Sequence, residues 1–182
     1  MTKTTIYFMR HGEVHNPKKV LYGRLPRFSL SKEGRTMVEE TAKVFRKENI
    51  QHIYASPMLR TRQTAEIIAK KIGLDVKISS LLNEVKFSFE GILLEDFVKT
   101  IQPKIYSLEY AKGGSETIER IEKRMLRFID MIKIKHKNQR LLVISHGDPI
   151  VITKAAIEGK AFTWEYKRNN YLKTGEWHRF DV

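Results

Sequence analysis

The sequence predicts an α/β fold built on a largely parallel sheet, and three observations carry that expectation. Strand-like and helix-like segments alternate along the 182 residues, with no repeat, low-complexity tract or Pro/Gly/Ser linker between them. The run "RLLVIS", residues 140–145, has the composition of a strand covered on both faces. Two apolar runs, one in "YFMRHG" and one in "LLVISHG", stop abruptly at Arg10-His11-Gly12 and at His146-Gly147, as strands do where a sheet meets a crevice.

The elements follow in order. Residues 4–9, "TTIYFM", are short and β-rich. In "SLSKEGRTMVEETAKVFRKEN" the spacing of Val38, Thr41, Ala42 and Phe45 predicts a helix, and Ser31 supplies its start signal. Residues 51–56 read as a strand. "SPMLRTRQTAEIIAKKIG" reads as a helix with Ser56 at the cap, Pro57 in the first turn and Gly73 at the stop. A short strand is expected at 75–79. Residues 85–112 combine Phe and Tyr with a Pro and weak helical periods, which predicts an insertion over a site within a single domain spanning 1–182. Ile118, Ile121, Met125, Phe128 and Ile132 then form the apolar stripe of a long helix, read as core. After the 140–145 strand, a helix from about Pro149 and a C-terminal hairpin around Thr174-Gly175 complete the pattern.

Composition narrows the functional classes. A chain with 41% hydrophobic and 30% charged residues encloses a core, so disorder is not expected. Its apolar runs are too short for a bilayer, and no secretory leader is expected, so membrane association is not anticipated and a cytoplasmic location is. The absence of cysteine removes disulfides, thiolate catalysis and Cys-ligated zinc together. A formal charge of +13 favours an anionic partner. Much of it lies in lysines on helical faces, such as Lys43, Lys70 and Lys133, which read as solvated. Nucleic acid, an acidic membrane surface and phosphorylated substrates are all partners of that charge, and the chain shows no nucleic-acid-binding module and no aromatic-basic interleaving.

In an open α/β sheet, ligands bind beyond the carboxyl ends of the strands. Adjacent parallel strands would bring His11, His146 and the helix start near residue 57 into one pocket, with Gly12 and Gly147 allowing close approach of a ligand. A metal-free phosphoryl-transfer site needs a nucleophile, fixed positive charge for the equatorial oxygens and a proton for the leaving alkoxide. Arg10 and Arg60 fit the second need, because a guanidinium donates bidentately and stays charged. A neutral His11 is a competent nucleophile, and neighbouring arginines help keep it neutral. His146 fits as a second donor to the same group. Glu84 is placed to supply the proton, with Glu90 as its competitor. His15, His52, His136 and His178 belong to no motif, and no His-Glu-x-x-His spacing calls for a metal.

"RHGEVHN", "YGRLPRFSLSKEGR", "YASPMLRTRQTAEII", "LNEVKFSFEG", "GGSETIERIEKR" and "VISHGD" resemble, in order and spacing, the histidine phosphatase superfamily, the phosphoglycerate-mutase-like family with its Arg-His-Gly signature. The similarity spans nearly the whole chain. It implies a three-layer α/β/α sandwich around a central, mostly parallel sheet, and a phosphohistidine intermediate formed without metal or other cofactor. Carried over by position, His11 is the nucleophile, Arg10, Arg60 and His146 complete the phosphate pocket, and Glu84 is the acid and then the base. Asn16 matches the family's polar phosphate contact, one residue earlier than in the mutases. Arg24 is expected at the pocket mouth. "GGSET" departs from the commoner Gly-Glu-Ser order, so Glu116 and Thr117 receive no role. Phosphomonoester hydrolysis is favoured over mutase chemistry, because the familiar mutases are longer, with extra segments over the site. The resemblance implies a small phosphorylated metabolite as substrate and no nucleic acid; a basic nucleic-acid-binding protein and a non-catalytic scaffold that retains the pocket are the further alternatives. Phe87, Phe89, Ile92, Leu93 and Phe97 hint at an apolar leaving group, and Lys99, Lys104 and Lys112 at extra negative charge on it.

Overall fold

A computed structural model describes residues 3–182. Five strands form one sheet: β1 (Thr5–Arg10), β2 (His52–Ala55), β3 (Val76–Ile78), β4 (Arg140–Ser145) and β5 (Trp177–Asp181), in the order β3-β2-β4-β1-β5. The first four pair in parallel and β5 runs antiparallel along β1. "RLLVIS" is therefore the central strand, as its composition predicts.

Alternation along the strands sorts the core into two halves. Ile6, Phe8, Tyr54, Leu141 and Val143 face one side. There they pack on α5 (Ile118–Lys135) through Ile121, Met125, Phe128 and Ile132, and on α6 (Gly147–Ile157) through Ile150 and Ile152. Tyr7, Met9, Ile53, Ala55, Leu142 and Ile144 face the other side. They meet Val38, Ala42 and Phe45 of α1 (Lys32–Phe45) and Ala65, Ile68 and Ala69 of α2 (Leu59–Ile72). The result is the expected three layers. Each large apolar side chain fully buried in this way contributes roughly 1.5–3 kcal/mol.

Caps follow local chemistry, with two displacements. Ser31 caps α1 by accepting the Gly34 N–H, and Gly73 closes α2 in the left-handed region at φ 75°. Helix α2 starts at Leu59, two residues beyond the expected Pro57, with Met58 at the cap. The Ser56 hydroxyl is drawn instead to His146 and to the Met58 N–H. Helix α6 likewise begins at Gly147, two residues before Pro149.

The C-terminal hairpin is not formed. The segment before β5 is a short helix, α7 (Trp164–Asn170), and β5 pairs with β1 instead. The Thr174-Gly175 turn is real: Gly175 sits at φ 80°, and its N–H is shared between the carbonyls of Arg10 and His11. It clamps the end of β1.

Between β3 and α5 the chain forms short turns: α3 (Leu94–Asp96), a π turn at Phe97–Ile101, a 3-10 turn at Gln102–Lys104 and α4 (Leu108–Lys112). Phe89 is the hub of an aromatic cluster, stacked with Phe87 and Phe97 and edge-on to Tyr110, with centroids 5.1–6.1 Å apart. Backbone bonds from Leu21 to Ile92 and from Gly91 to Leu21 tie this segment to the loop after β1. No helix among the described residues is long and apolar enough to cross a membrane.

Candidate active site

Strand register explains why distant residues converge. Arg10 lies opposite Ser145 in the β1–β4 ladder, and the Ser56 N–H reaches the Ile144 carbonyl. Three strand ends therefore stop level, and the next residue on each of β1 and β4 is a histidine. Gly12 follows under close packing: a Cβ there would lie 2.7 Å from Val38 Cγ2, and its N–H donates to Thr64 Oγ1.

The hydrogen bonds fix both imidazole tautomers. His11 Nδ1 lies 2.8 Å from the Gly12 carbonyl, which can only accept, so Nδ1 carries the proton and Nε2 the lone pair. Arg60 Nε donates to that lone pair at 3.1 Å. Arg60 Nη2 donates to His146 Nδ1 at 3.0 Å and to the Gly23 carbonyl at 2.8 Å. His146 then donates from Nε2 to Ser56 Oγ, 2.9 Å away. The two rings stand 5.4 Å apart, and Arg60 is only 1% exposed. Glu84 Oε2 lies 3.5 Å from His146 Nδ1 and 3.8 Å from Arg60 Nη2, while Oε1 accepts the Val85 N–H.

Burial dominates the proton equilibria. It drives His11 well below the ordinary histidine value, and the Arg60 and Arg10 charges push the same way. His146 is lowered well below its usual value too, by burial and then by Arg60. Burial raises Glu84, against the pull of Arg60 and with help from the Asp148 charge. The group thus pairs two neutral imidazoles with a carboxyl inclined to keep its proton.

Arg10 donates from Nη1 to the Leu172 carbonyl at 2.8 Å, whereas its buried Nε has no hydrogen-bond partner. An unsatisfied buried guanidinium donor is uncommon and marks a place for an acceptor. Arg10 also lines a cavity of about 420 Å³, together with Tyr22, Gly23 and Glu84. His11, Arg60 and His146 lie behind that wall, where the Tyr22 ring covers the Arg60 guanidinium at 4.7 Å. The cavity is also lined by Phe87, Leu94, Phe97, Ile105 and Trp164.

Among the residues expected from sequence, His11, Arg60, His146, Glu84 and Arg10 are brought together. The hydrogen-bonding groups of Asn16 and Arg24 are directed elsewhere. Both atoms of the Asn16 amide are bonded to the Val20 backbone, closing a local turn. Arg24 donates from Nε to the Glu84 carbonyl at 2.7 Å and from Nη2 to Glu116 at 3.0 Å. Arg124 donates to that same Glu84 carbonyl and to both oxygens of Glu116, so two guanidiniums hold the Glu84 loop in place. Glu90 accepts the Arg24 N–H, which leaves Glu84 as the carboxylate facing the imidazoles. Lys99 pairs with Glu95, and neither Lys104 nor Lys112 lines the cavity.

Sequence reasoning missed the wall supplied by the C-terminal part of the chain. Asp148 accepts from the Tyr106 hydroxyl. The Lys167 ammonium donates to Asp148 Oδ2 at 2.9 Å and touches Oδ1 at 2.7 Å by charge alone. Tyr171 stacks beside Arg10 at 5.1 Å. Only Asp148 had a usable signal, its place directly after the second His-Gly. Among the described residues, no group of three or more His, Asp or Glu side chains is gathered as a metal site requires.

Residues 6–177 match the family profile of the histidine phosphatase superfamily, branch 1. The chain is 31% identical over 156 residues to phosphoglycerate mutase-like protein 4 of Arabidopsis thaliana, covering 80% of this chain and 67% of that one. It is 27% identical over 164 residues to phosphoserine phosphatase 1 of Hydrogenobacter thermophilus, covering 85% and 76%. The solved structure of Bacillus stearothermophilus YhfR superposes with a TM-score of 0.87 at 21% identity over 98% of this chain and 91% of that one, a likeness of fold.

Proposed function

The chain belongs to the histidine phosphatase superfamily, and we propose that it hydrolyses a small phosphomonoester through a covalent phosphohistidine on His11, without a metal. One observation carries this reading: a single buried guanidinium, Arg60, bridges the lone pair of His11 Nε2 and the second imidazole, with Glu84 beside it.

On this reading Nε2 attacks phosphorus as the ester P–O bond breaks, and Glu84 gives its proton to the departing oxygen. Arg60 and Arg10, the latter through its free Nε, receive equatorial oxygens, and His146 meets the third once its Nε2–H leaves Ser56. The neutral state of His11 keeps the lone pair available at ordinary pH, and the raised Glu84 keeps a proton to give. Water then attacks the phosphoramidate, Glu84 takes the water's proton, the P–N bond breaks and inorganic phosphate leaves. Arg24 and Arg124 act by positioning Glu84, and residues 85–112 form the cover over the leaving group. Cytoplasmic small metabolites are the substrates this reading favours.

Phosphate release from phenyl phosphate, with a chelator present, tests it. The wild type should turn over, His11→Ala should not, and acid-quenched protein should carry an acid-labile, base-stable phosphoryl group. Turnover by the variant moves the nucleophile elsewhere, and strict metal dependence removes the mechanism. With a phosphoglycerate as substrate, the isomerised ester in place of free phosphate would make the enzyme a mutase.

A further inference from the structure

The cavity continues well past the groups that would hold a phosphoryl moiety, and its far wall joins two kinds of chemistry. At about 420 Å³ it falls in the range of roughly 300–1,000 Å³ usual for small-molecule sites. Much of the lining is apolar: Phe87, Leu94, Phe97, Ile105 and Trp164. It also includes two consecutive cations on the last turn of α7, Lys167 and Arg168.

These cations are not equivalent. Lys167 is neutralised: it is paired with Asp148, and Trp164, Tyr171 and Tyr106 surround its ammonium at 5.1–6.0 Å. Arg168 lines the cavity, is exposed, and forms no ion pair or side-chain hydrogen bond with any described residue. An exposed guanidinium on a cavity with a large apolar share, with all of its donors unused, matches a planar carboxylate or a second phosphate.

We propose that Arg168 is a specificity-determining residue, and that the substrate's leaving group is an apolar body carrying a second anionic group that Arg168 binds. The phosphoryl group would sit toward Arg10 and Glu84, the apolar body against Phe97 and Trp164, and the second anion at the cavity rim. This deepens the phosphomonoesterase reading and rests on it for the orientation of the ligand.

Calorimetric binding of non-hydrolysable phosphonates separates the two ideas. Phenylphosphonate and its 3- and 4-carboxy derivatives are titrated into wild type and Arg168→Ala, which alters an exposed side chain and leaves the core intact. One carboxylate position should tighten binding to wild type by about tenfold, as a charge-assisted bond does. Arg168→Ala should lose that gain and bind phenylphosphonate within twofold of wild type, by the same reasoning. Methylphosphonate should bind both proteins more weakly than phenylphosphonate does. Equal affinity for charged and uncharged rings, or a carboxylate gain that survives in the variant, overturns the assignment of Arg168. No advantage of phenyl over methyl overturns the apolar body. Turnover of phenyl phosphate without a carboxylate effect sinks this subsite alone, and a carboxylate effect without turnover sinks only the phosphatase reading.

Discussion

Replacing Arg60 with methionine should abolish catalysis while leaving the chain folded. The side chain is 1% exposed and donates to His11, His146 and the Gly23 carbonyl. Losing those three bonds to a charged donor costs about 1.5–3 kcal/mol each, and stranding the Gly23 carbonyl adds about 1–2 kcal/mol more. Against this stands the desolvation of a buried guanidinium, several kcal/mol, offset in the wild type by a carboxylate no closer than 3.8 Å and by the Tyr22 ring. Glu84, raised by burial against the pull of Arg60, is pushed further in the same direction when that cation is removed, which disfavours a bare charge there. The opposing contributions largely cancel and leave a net loss of no more than about 4 kcal/mol. Catalysis has no such compensation, and loss of a preorganised donor to the transferring group should cut kcat/KM by roughly a thousandfold. Urea denaturation and phosphate release give the two numbers. In NMR titrations both imidazoles should move up toward ordinary values, since the Arg60 charge is the second cause of their depression after burial. A stability loss above about 4 kcal/mol, the penalty for breaking an essential buried pair, would refute the reasoning. So would activity within tenfold of wild type.

Other expectations follow from the same geometry. Glu84→Gln should slow hydrolysis of alkyl phosphates by about 10²–10⁴ but spare activated nitrophenyl esters, whose leaving groups need no proton. In the wild type, alkyl-ester turnover should fall as pH rises through the raised Glu84 value, a limb absent from the variant's kcat/KM profile. Because His11 and His146 are depressed below 6.5, the unfolded chain binds more protons than the folded one below about that pH. Stability should therefore fall on acidification, by up to about 1.4 kcal/mol per pH unit per imidazole. Glu84 acts in the opposite sense above 4.5, its contribution declining as pH climbs, and His11→Asn should remove one imidazole's share of the slope in urea midpoints. Gly34→Ala should destabilise by about 1–3 kcal/mol in the same assay, because its Cβ would lie 2.1 Å from the Glu13 carbonyl oxygen. An unchanged midpoint would mean that the loop after Gly12 is free to shift.

What could be read from the sequence divides by range. His11 and His146 were legible because a strand end is a local event, and parallel pairing carries two such ends to one place. Ser31 and Gly73 were legible as caps for the same reason. Ser56 misled because its hydroxyl had a distant alternative in His146, and the helix start moved two residues on. The turn at Thr174-Gly175 was visible, but not that β5 would return to β1 across the whole length of the chain. Lys167 and Arg168 were invisible, since a seven-residue helix carries too little periodicity to say which way it faces. The apolar hint from Phe87 and Phe97 agrees with where those rings lie, whereas positive charge reaches the cavity from α7 rather than from Lys99, Lys104 or Lys112.

The hydrogen bond from Arg60 to His11 has a consequence for the timing of a turnover. It occupies the electron pair that would bond phosphorus, so each round of the proposed chemistry must open it and each departure of phosphate lets it close again. A resting enzyme built this way shields its own reactive nitrogen from stray electrophiles and competes with its product for the same guanidinium. The contact that guards the idle ring also helps to clear it.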